Sequence, residues 1–132
     1  MKVKSIAGII CLVKDLEKAT EFYEALGFTF KKRVPGISAT AYLNWFWNEF
    51  LLEDKVITEA FKEDVSVSPK GAGQYIHISV ESIDEFYKGV IAKGLKPVNQ
   101  PQDFPWGHRE FVISDPDGYK LVFFSKLSGK AT

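Results

Sequence analysis

The fold is decided by residues 13–28, VKDLEKATEFYEALGF. Asp15 stands where a side chain can accept hydrogen bonds from the first free amides of a helix, and Gly27 stands where a helix commonly ends in a left-handed residue. Between them, apolar residues recur at helical spacing: Leu16, Ala19, Phe22, Tyr23 and Leu26. Residues 6–13, IAGIICLV, are apolar and rich in β-formers. The stretch therefore predicts a strand, a capped helix that packs by one face, and a sharp stop.

A second copy of this pattern begins 67 positions later, where residue 80 aligns with residue 13. Residues 80–95 read VESIDEFYKGVIAKGL, and a β-rich segment at residues 75–80 precedes the helix. Ser82 and Glu85 have the spacing of a capping box, and Gly94 predicts the end of the helix. The two halves share few identical residues, but aligned positions have the same structural role. The sequence therefore predicts an internal repeat.

Three strands are predicted after each helix, separated by turn residues. They span residues 28–34, 39–47 and 49–53 in the first copy and residues 95–98, 107–114 and 119–125 in the second. Residues 54–72 are predicted to connect the copies, with a short helix near residues 57–62. The expected fold class is α+β, with two tandem βαβββ modules, residues 3–53 and 73–127, in a single domain. Pairing two such modules predicts a curved mixed sheet around a cleft.

Composition excludes several classes of partner. The 132 residues include 17 Lys plus Arg and 17 Asp plus Glu, so the formal net charge is zero and a strongly basic nucleic-acid binder is not expected. No apolar run approaches the roughly 20 residues of a membrane span. The one cysteine, Cys11, cannot form an intramolecular disulfide, and we interpret it as a buried thiol of a cytoplasmic protein. Aromatic residues are abundant, at 14% of the chain, which fits either a filled core or a pocket for a flat ligand.

The order and spacing of these motifs resemble the vicinal oxygen chelate superfamily, which includes glyoxalase I, extradiol dioxygenases and bleomycin-resistance proteins. The resemblance covers the chain from about Lys4 to Leu127. Its carriers are VKDLEK followed by FY and LGF in the first half, and VESID, WGHREF and DPDGY in the second. We interpret Asp115 and Asp117 of the last motif as turn formers. Because one fold hosts several chemistries, the motifs are more specific for the fold than for an activity.

Metal-dependent members of that superfamily place a ligand on the first and the last strand of each module. The resemblance puts these four positions at Gly8, about Leu52, Tyr75 and Val122. Glycine, two apolar residues and a tyrosine do not make a site for a divalent ion, so no metal and no cofactor are expected. His77 lies two residues beyond Tyr75 on the same strand face. It is interpreted as a hydrogen-bonding residue in the cleft, with a satisfied core histidine or a displaced metal ligand as alternatives.

Nine residues are predicted to bind a ligand. Trp45 and Trp47 share one face of the predicted strand 39–47. Phe50 shares a strand face with the ligand position at Leu52, and Phe124 shares one with the ligand position at Val122. Trp106 is either a stacking residue or a lid over the core edge. Arg109 either forms an ion pair with a carboxylate across the sheet or offers a forked donor to an acidic ligand group. The full predicted set is Trp45, Trp47, Phe50, Tyr75, His77, Trp106, Arg109, Val122 and Phe124. The helix-face rings Phe22, Tyr23, Phe86 and Tyr87 are predicted to form the core.

The resemblance implies a small cytoplasmic homodimer of the bleomycin-resistance type, which binds a hydrophobic or aromatic molecule without transforming it. The alternative is a metal-dependent lyase, isomerase or dioxygenase with displaced ligands. A third possibility is a structural or regulatory module whose cleft is filled by its own aromatic residues. The binding protein is preferred over the enzyme because all four metal-ligand positions lack suitable residues. The absence of a nucleophile elbow and of a phosphate-binding glycine loop weakens the enzyme interpretation further.

Overall fold

A computed structural model describes residues 1–127 of the chain. The chain divides into two compact units, Met1–Ser68 and Pro69–Thr132. Each unit contains one α-helix and one four-stranded sheet, so the predicted α+β class and its repeat of strand, helix and three strands are confirmed. The grouping of both modules into one domain stays a prediction. Within residues 1–127, no helix is long and apolar enough to cross a membrane.

The first module contains β1 Gly8–Val13, α1 Leu16–Ala25, β2 Phe30–Val34, β3 Ser38–Leu43 and β4 Phe46–Leu52. Its sheet has the order β1-β4-β3-β2, with β1 parallel to β4 and the other neighbours antiparallel. Two short 3₁₀ segments, Glu53–Lys55 and Glu59–Asp64, follow β4. The second of these corresponds to the short helix predicted near residues 57–62.

The second module contains β5 Tyr75–Ser79, α2 Ile83–Ala92, β6 Gln102–Asp103, β7 His108–Ser114 and β8 Lys120–Lys126. Its sheet repeats the plan with the order β5-β8-β7-β6, and β5 runs parallel to β8. The prediction of a strand at residues 95–98 is wrong. Pro97 has no amide hydrogen, and Val98 makes a single backbone bond to the strand beside it, to the carbonyl of Val112 at 2.8 Å.

The hairpin between β3 and β4 differs from the prediction of one strand over residues 39–47. The chain turns at Asn44 and Trp45, and Asn44 has a positive φ of 60°. Asparagine tolerates the left-handed conformation better than other non-glycine residues. Trp45 is therefore at the tip of the turn and 93% exposed, while Trp47 belongs to the next strand.

The helix ends are formed largely as predicted. The Asp15 side chain accepts a hydrogen bond from the Lys18 amide at 3.0 Å, which confirms the first N-cap. The capping box at Ser82 is wrong: Ser82 has the extended N-cap conformation, but its side chain makes no capping hydrogen bond. The start of this helix is stabilised instead by Asp84 and Glu85 in its first turn, because their carboxylates are attracted to the positive end of the helix dipole.

Each module has an aromatic core between its helix and one sheet face. In the first module, Tyr23 of α1 lies 4.4 Å from Phe50 of β4, measured between ring centroids. In the second, Phe86 of α2 lies 4.6 Å from Phe123 of β8, and Tyr87 contacts Phe111 of β7 edge to face. These contacts confirm that Tyr23, Phe86 and Tyr87 pack against the sheets, whereas Phe22 is partly exposed and contacts the Tyr23 ring edge to face. They also identify which face of each sheet the helix covers.

Candidate functional site

The side of the second sheet that faces away from α2 carries four of the nine predicted binding residues. Phe123 contacts α2, so its neighbour Phe124 points to the opposite side. Strand register extends this helix-free face across three strands, because His77 pairs with Val122 and Glu110 pairs with Phe124. We call this surface the helix-free face of the second module. Its members are Tyr75, His77, His108, Glu110, Val112, Lys120, Val122, Phe124 and Lys126.

A stacked ring pair forms the centre of this face. The imidazole of His108 lies over the ring of Phe124 with a centroid distance of 4.1 Å and an interplanar angle of 17°. The His77 ring lies 6.1 Å from the same phenyl ring at a tilt of 59°, and it is exposed. Val122, next along the same strand face, is buried, whereas Tyr75 is 59% exposed. The structure thus brings Tyr75, His77, Val122 and Phe124 to one surface.

Trp106 joins this surface through a polar contact. Its indole Nε1 donates a hydrogen bond of 3.0 Å to Oε1 of Glu110, and its ring stacks on Phe104 at 4.7 Å. Gly107 has a φ of 90°, a left-handed conformation that glycine adopts without strain, so the loop reverses directly into β7. Trp106 remains 54% exposed despite these contacts. A ring held at both its edge and its face, yet open to solvent, is suited to stack on a ligand.

The side chains of His108 and Glu110 lie close together but do not hydrogen-bond to each other. The Nδ1 atom of His108 is buried and has no hydrogen-bond partner among the residues that the structure describes. The nearest carboxylate oxygen, Oε1 of Glu110, is 3.8 Å away, which is too long for a hydrogen bond. Neither residue was among the predicted binding residues. Strict alternation along residues 108–114, together with the predicted role of Phe124, was the signal that could have placed them on this face.

Arg109 lies on the other face of the same strand. Its Nε donates to Asp84 at 3.2 Å and its Nη1 donates to Asp103 at 2.9 Å. The hydrogen bond to Asp103 raises the pKa of the guanidinium above its ordinary value, burial opposes this, and Asp84 adds to the rise. Arg109 thus follows the alternative of an ion pair with carboxylates, and its fork is not directed at the helix-free face. We correct its predicted role in ligand binding on this basis.

Two residues of the first module that were predicted to bind a ligand, Phe50 and Trp45, lie in the core and at an exposed turn. Phe50 is fully buried against Tyr23 and Phe30, so it is a core residue on the helix-covered face rather than a ligand contact. Trp45 is at the exposed hairpin tip, away from the strand face to which alternation assigned it. The turn at Asn44 explains the position of Trp45, whereas Phe50 was chosen because it shares a strand face with Leu52, which is not the counterpart of Val122.

Trp47 lies on the helix-free face of the first module, opposite Gly8 in the β1–β4 ladder. A Cβ atom built on Gly8 would overlap the indole ring of Trp47. The indole thus occupies the space that a side chain at position 8 would need. Position 8 is the first of the four superfamily ligand positions, and here an aromatic ring takes its place.

Strand register corrects one of those four positions. Ile10 pairs with Glu49 in the first module, and its repeat counterpart His77 pairs with Val122 in the second. The counterpart of Val122 is therefore Glu49, while Leu52 shares the helix-covered face with Phe50. Glu49 is a competent ligand, but Gly8, Tyr75 and Val122 do not complete a divalent site with it. Within residues 1–127, no group of three or more His, Cys, Asp or Glu side chains has the geometry to hold a metal ion.

Comparison with known proteins identifies the family. The sequence profile of the Glyoxalase/Bleomycin resistance protein/Dioxygenase superfamily matches residues 5–123. The chain belongs to this superfamily. Proteins named bleomycin resistance protein from Geobacillus stearothermophilus and Staphylococcus aureus are each 29% identical over 126 residues, covering 87% of this chain and 92% of theirs.

Solved structures agree on the fold. A glyoxalase/bleomycin resistance protein/dioxygenase from Nocardioides superposes with a TM-score of 0.78 at 24% identity, over 98% of this chain and 88% of the other. Lactoylglutathione lyase from Agrobacterium tumefaciens superposes with a TM-score of 0.71 at 13% identity, over 95% of this chain and 96% of the other. A structure named only for the superfamily and one named as a lyase thus share the architecture, so the fold does not decide the activity.

Proposed function

We propose that this protein binds a hydrophobic or aromatic small molecule on the helix-free face of the second module, without a metal ion. The observation that carries the proposal is the stack of His108 on Phe124, with Trp106 and His77 close to it on the same surface. Flat rings attract one another in offset or tilted arrangements, and an aromatic ligand extends such a cluster. Val122 contributes an apolar floor where metal-dependent relatives need a ligand.

The proposed residues act in different ways. Phe124 and His108 form a stacked base for a ring, Trp106 offers an exposed indole face, and Tyr75 and His77 provide phenol and imidazole groups on the edge strand β5. These polar groups orient a ligand whose remaining surface is apolar, which is the usual composition of a small-molecule site. None of them needs to change its covalent state in this role.

The similarity to proteins named for bleomycin resistance supports sequestration rather than conversion of the ligand. The donor set supports it too, because Gly8, Tyr75 and Val122 stand at three of the four superfamily ligand positions. A metal-dependent lyase, isomerase or dioxygenase would require donors that these positions do not supply. We therefore place the binding function ahead of the enzymatic alternative.

We further propose that the protein acts as a homodimer in the cytoplasm. Strands β1 and β5 stand at the edges of their sheets, and Ile10 and Tyr75 on them are exposed. Exposed apolar edges are typical sites of pairing with another chain. Light scattering at several protein concentrations tests the dimer, and a constant monomer mass would contradict it.

The proposed compartment is supported by the one cysteine, Cys11, which is buried and forms no disulfide, as is usual in a reducing compartment.

Tryptophan fluorescence tests the proposed site. A panel of aromatic compounds is titrated into wild-type protein, Trp106→Phe and Trp45→Phe, in a buffer that contains a chelator. We expect quenching in the wild type and in Trp45→Phe, whose indole is at an exposed turn of the first module, and a marked loss of quenching in Trp106→Phe. If quenching is absent across the panel, or is lost equally in both variants, the proposed site is wrong. A response that needs added zinc, nickel, iron or manganese would favour the metal-dependent alternative.

A further inference from the structure

The indole of Trp106 is held at two places although the residue is 54% exposed. Its ring lies parallel to the Phe104 ring, with a centroid distance of 4.7 Å and an interplanar angle of 10°. Its Nε1 atom donates a hydrogen bond of 3.0 Å to Oε1 of Glu110. A ring that is held at one face and at its polar edge has few other orientations to sample. The part of the indole that is open to solvent is therefore presented in a defined direction.

The backbone that carries Trp106 is also fixed. In the tight turn that precedes β7, the Gly107 amide donates a hydrogen bond of 3.1 Å to the Phe104 carbonyl. The Phe104 amide donates to the His108 carbonyl at 2.8 Å, and the Gly107 carbonyl accepts from the Leu127 amide at 2.9 Å. These bonds connect the turn to the start of β7 and to the end of β8. The freedom that remains at position 106 is that of its side chain.

Glu110 is a rigid anchor for that side chain. It lies in the middle of the second sheet, where its backbone pairs with Phe124 of β8 on one side and with Gln102 of β6 on the other. Its side chain is only 10% exposed, so close packing by its neighbours confines it. Burying a carboxylate is costly unless it makes hydrogen bonds. The hydrogen bond from the Trp106 indole is therefore the contact that gives this buried carboxylate a role.

We infer from these contacts that Glu110 is a positioning residue for ligand binding, which holds the Trp106 indole in its binding orientation before a ligand arrives. The inference rests on the proposed function, in which Trp106 stacks on a ligand, and it adds the residue that prepares the indole for this task. Glu110 itself does not need to touch the ligand. Ordering one loose side chain during binding is equivalent to about a three- to tenfold loss of affinity, and a side chain ordered in advance avoids that loss.

Two other roles for Glu110 make different predictions. If Glu110 served only the stability of the module, its replacement would lower the free energy of unfolding and leave the affinity of the folded protein unchanged. If Glu110 attracted ligands by its charge, glutamine at this position would weaken binding as much as leucine. Positioning requires only an acceptor for the indole N–H, and the side-chain carbonyl of glutamine is such an acceptor.

The affinity for an uncharged, flat probe, 2-naphthol, tests the positioning role. The probe is titrated into ¹⁵N-labelled protein, and amide chemical shifts report both binding and the folded state. Glu110→Leu removes the acceptor at similar volume, Glu110→Gln keeps an acceptor, and Glu85→Leu is the matched control at an exposed position of α2. We expect Glu110→Leu to bind about three- to tenfold more weakly than the wild type. Glu110→Gln and Glu85→Leu should both bind about as tightly as the wild type.

A double-mutant cycle shows whether Glu110 acts through the indole. Trp106→Phe keeps a flat ring at position 106 but has no N–H group to donate. If Glu110 acts through Trp106, adding Glu110→Leu to Trp106→Phe should have no further effect on the affinity for 2-naphthol. An equally large loss in both backgrounds would overturn the inference, because Glu110 would then act by another route.

A measurement on the protein without ligand needs no substitution of Glu110, which keeps the inference testable if Glu110→Leu fails to fold. Hydrogen exchange of the indole N–H of Trp106 is compared with that of Trp45, which is 93% exposed. The variants Trp106→Phe and Trp45→Phe assign the two signals. We expect the Trp106 proton to exchange at least about fivefold more slowly, because its hydrogen bond to Glu110 must open first. Equal exchange rates would mean that the indole is not held and would refute the positioning role.

The outcomes separate this inference from the function on which it rests. If Glu110→Leu binds 2-naphthol as tightly as the wild type does, the positioning role is refuted while binding on this face stands. If Glu110→Gln loses as much affinity as Glu110→Leu, the charge of Glu110 is responsible and the inference is again wrong. If neither 2-naphthol nor any compound of the aromatic panel shifts the resonances of Trp106 or Phe124, the proposed function fails and the inference fails with it.

Discussion

Phe123 and Phe124 are adjacent phenylalanines with opposite surroundings, which makes them a matched pair for separating stability from binding. Phe123 is 1% exposed and contacts Phe86 and Phe111 on the helix-covered side. Phe124 is partly buried on the helix-free side, where it carries the His108 ring. The two substitutions Phe123→Ala and Phe124→Ala remove the same atoms from one strand. A difference in stability or in binding between the two variants therefore reflects the side of the sheet on which each ring lies.

The expected magnitudes follow from burial. Phe123→Ala opens a cavity in a close-packed core, and such truncations cost about 3–5 kcal/mol of unfolding free energy. Phe124→Ala loses part of the apolar transfer energy and one ring stack, which together come to about 1–2 kcal/mol because the side chain is already partly in water. At a urea m-value of about 2 kcal/mol/M, the two unfolding midpoints should differ by about 1 M.

Urea unfolding monitored by circular dichroism measures stability, and the tryptophan-quenching titration measures binding. We expect Phe124→Ala to remain folded and to lose binding of aromatic compounds, whereas folded Phe123→Ala at low urea retains it. The reasoning is refuted if Phe124→Ala is as destabilised as Phe123→Ala, or if Phe124→Ala binds aromatic compounds as well as the wild type does.

Three further predictions concern the fold, and urea unfolding checks each of them. Phe50→Ala should lower the free energy of unfolding by about 3–5 kcal/mol, whereas Trp45→Ala should change it by no more than about 0.5 kcal/mol. The reverse order would support a single strand over residues 39–47, without the turn at Asn44. Gly8→Ala should lower the free energy of unfolding by about 1–3 kcal/mol, because the new methyl group must displace the Trp47 indole. In a Trp47→Ala background the same substitution should have little effect. Equal costs in both backgrounds would contradict the contact between the indole and position 8. Asp15→Ala should cost about 1 kcal/mol through loss of the helix cap, and an unchanged midpoint would mean that the cap contributes nothing.

The helices were predictable from the sequence because their signals are local. Asp15 and Gly27 mark the ends of α1 within a few residues of its apolar face, and the second helix repeats this spacing. The repeat added independent support, since two similar strand-helix units are expected to have similar folds. The order of helices and strands along the chain and the superfamily then followed from the pattern as a whole.

The β3–β4 hairpin was not predictable in the same way. Its turn residues, Asn44 and Trp45, include neither glycine nor proline, and apolar residues continue on both sides. The sequence therefore reads as one long strand. Alternation continued through this turn, which is why Trp45 was assigned to a strand face. Phe50 was assigned to the site for another reason, because Leu52 rather than Glu49 was taken as the ligand position.

The site was partly predictable, for a related reason. Tyr75, His77, Val122 and Phe124 follow from alternation along strands whose bounds were close to correct. The partners of Arg109 come from a helix and from another strand, at separations of 25 and 6 residues, and no local pattern specifies them. The unpaired Nδ1 atom of His108 depends on ring placement in three dimensions. Such contacts are properties of the assembled module rather than of any segment.

We propose that aromatic ligands bind to the helix-free face of the second module without metal. The most direct measurement is an NMR screen of aromatic fragments against chelator-treated, ¹⁵N-labelled protein, with chemical-shift mapping of every compound that binds. We predict that binding compounds shift the amides of His108, Val122 and Phe124 more than those of the first module, and that added zinc does not strengthen them. Binding that appears only after metal is added, or shifts confined to other residues, would contradict the claim.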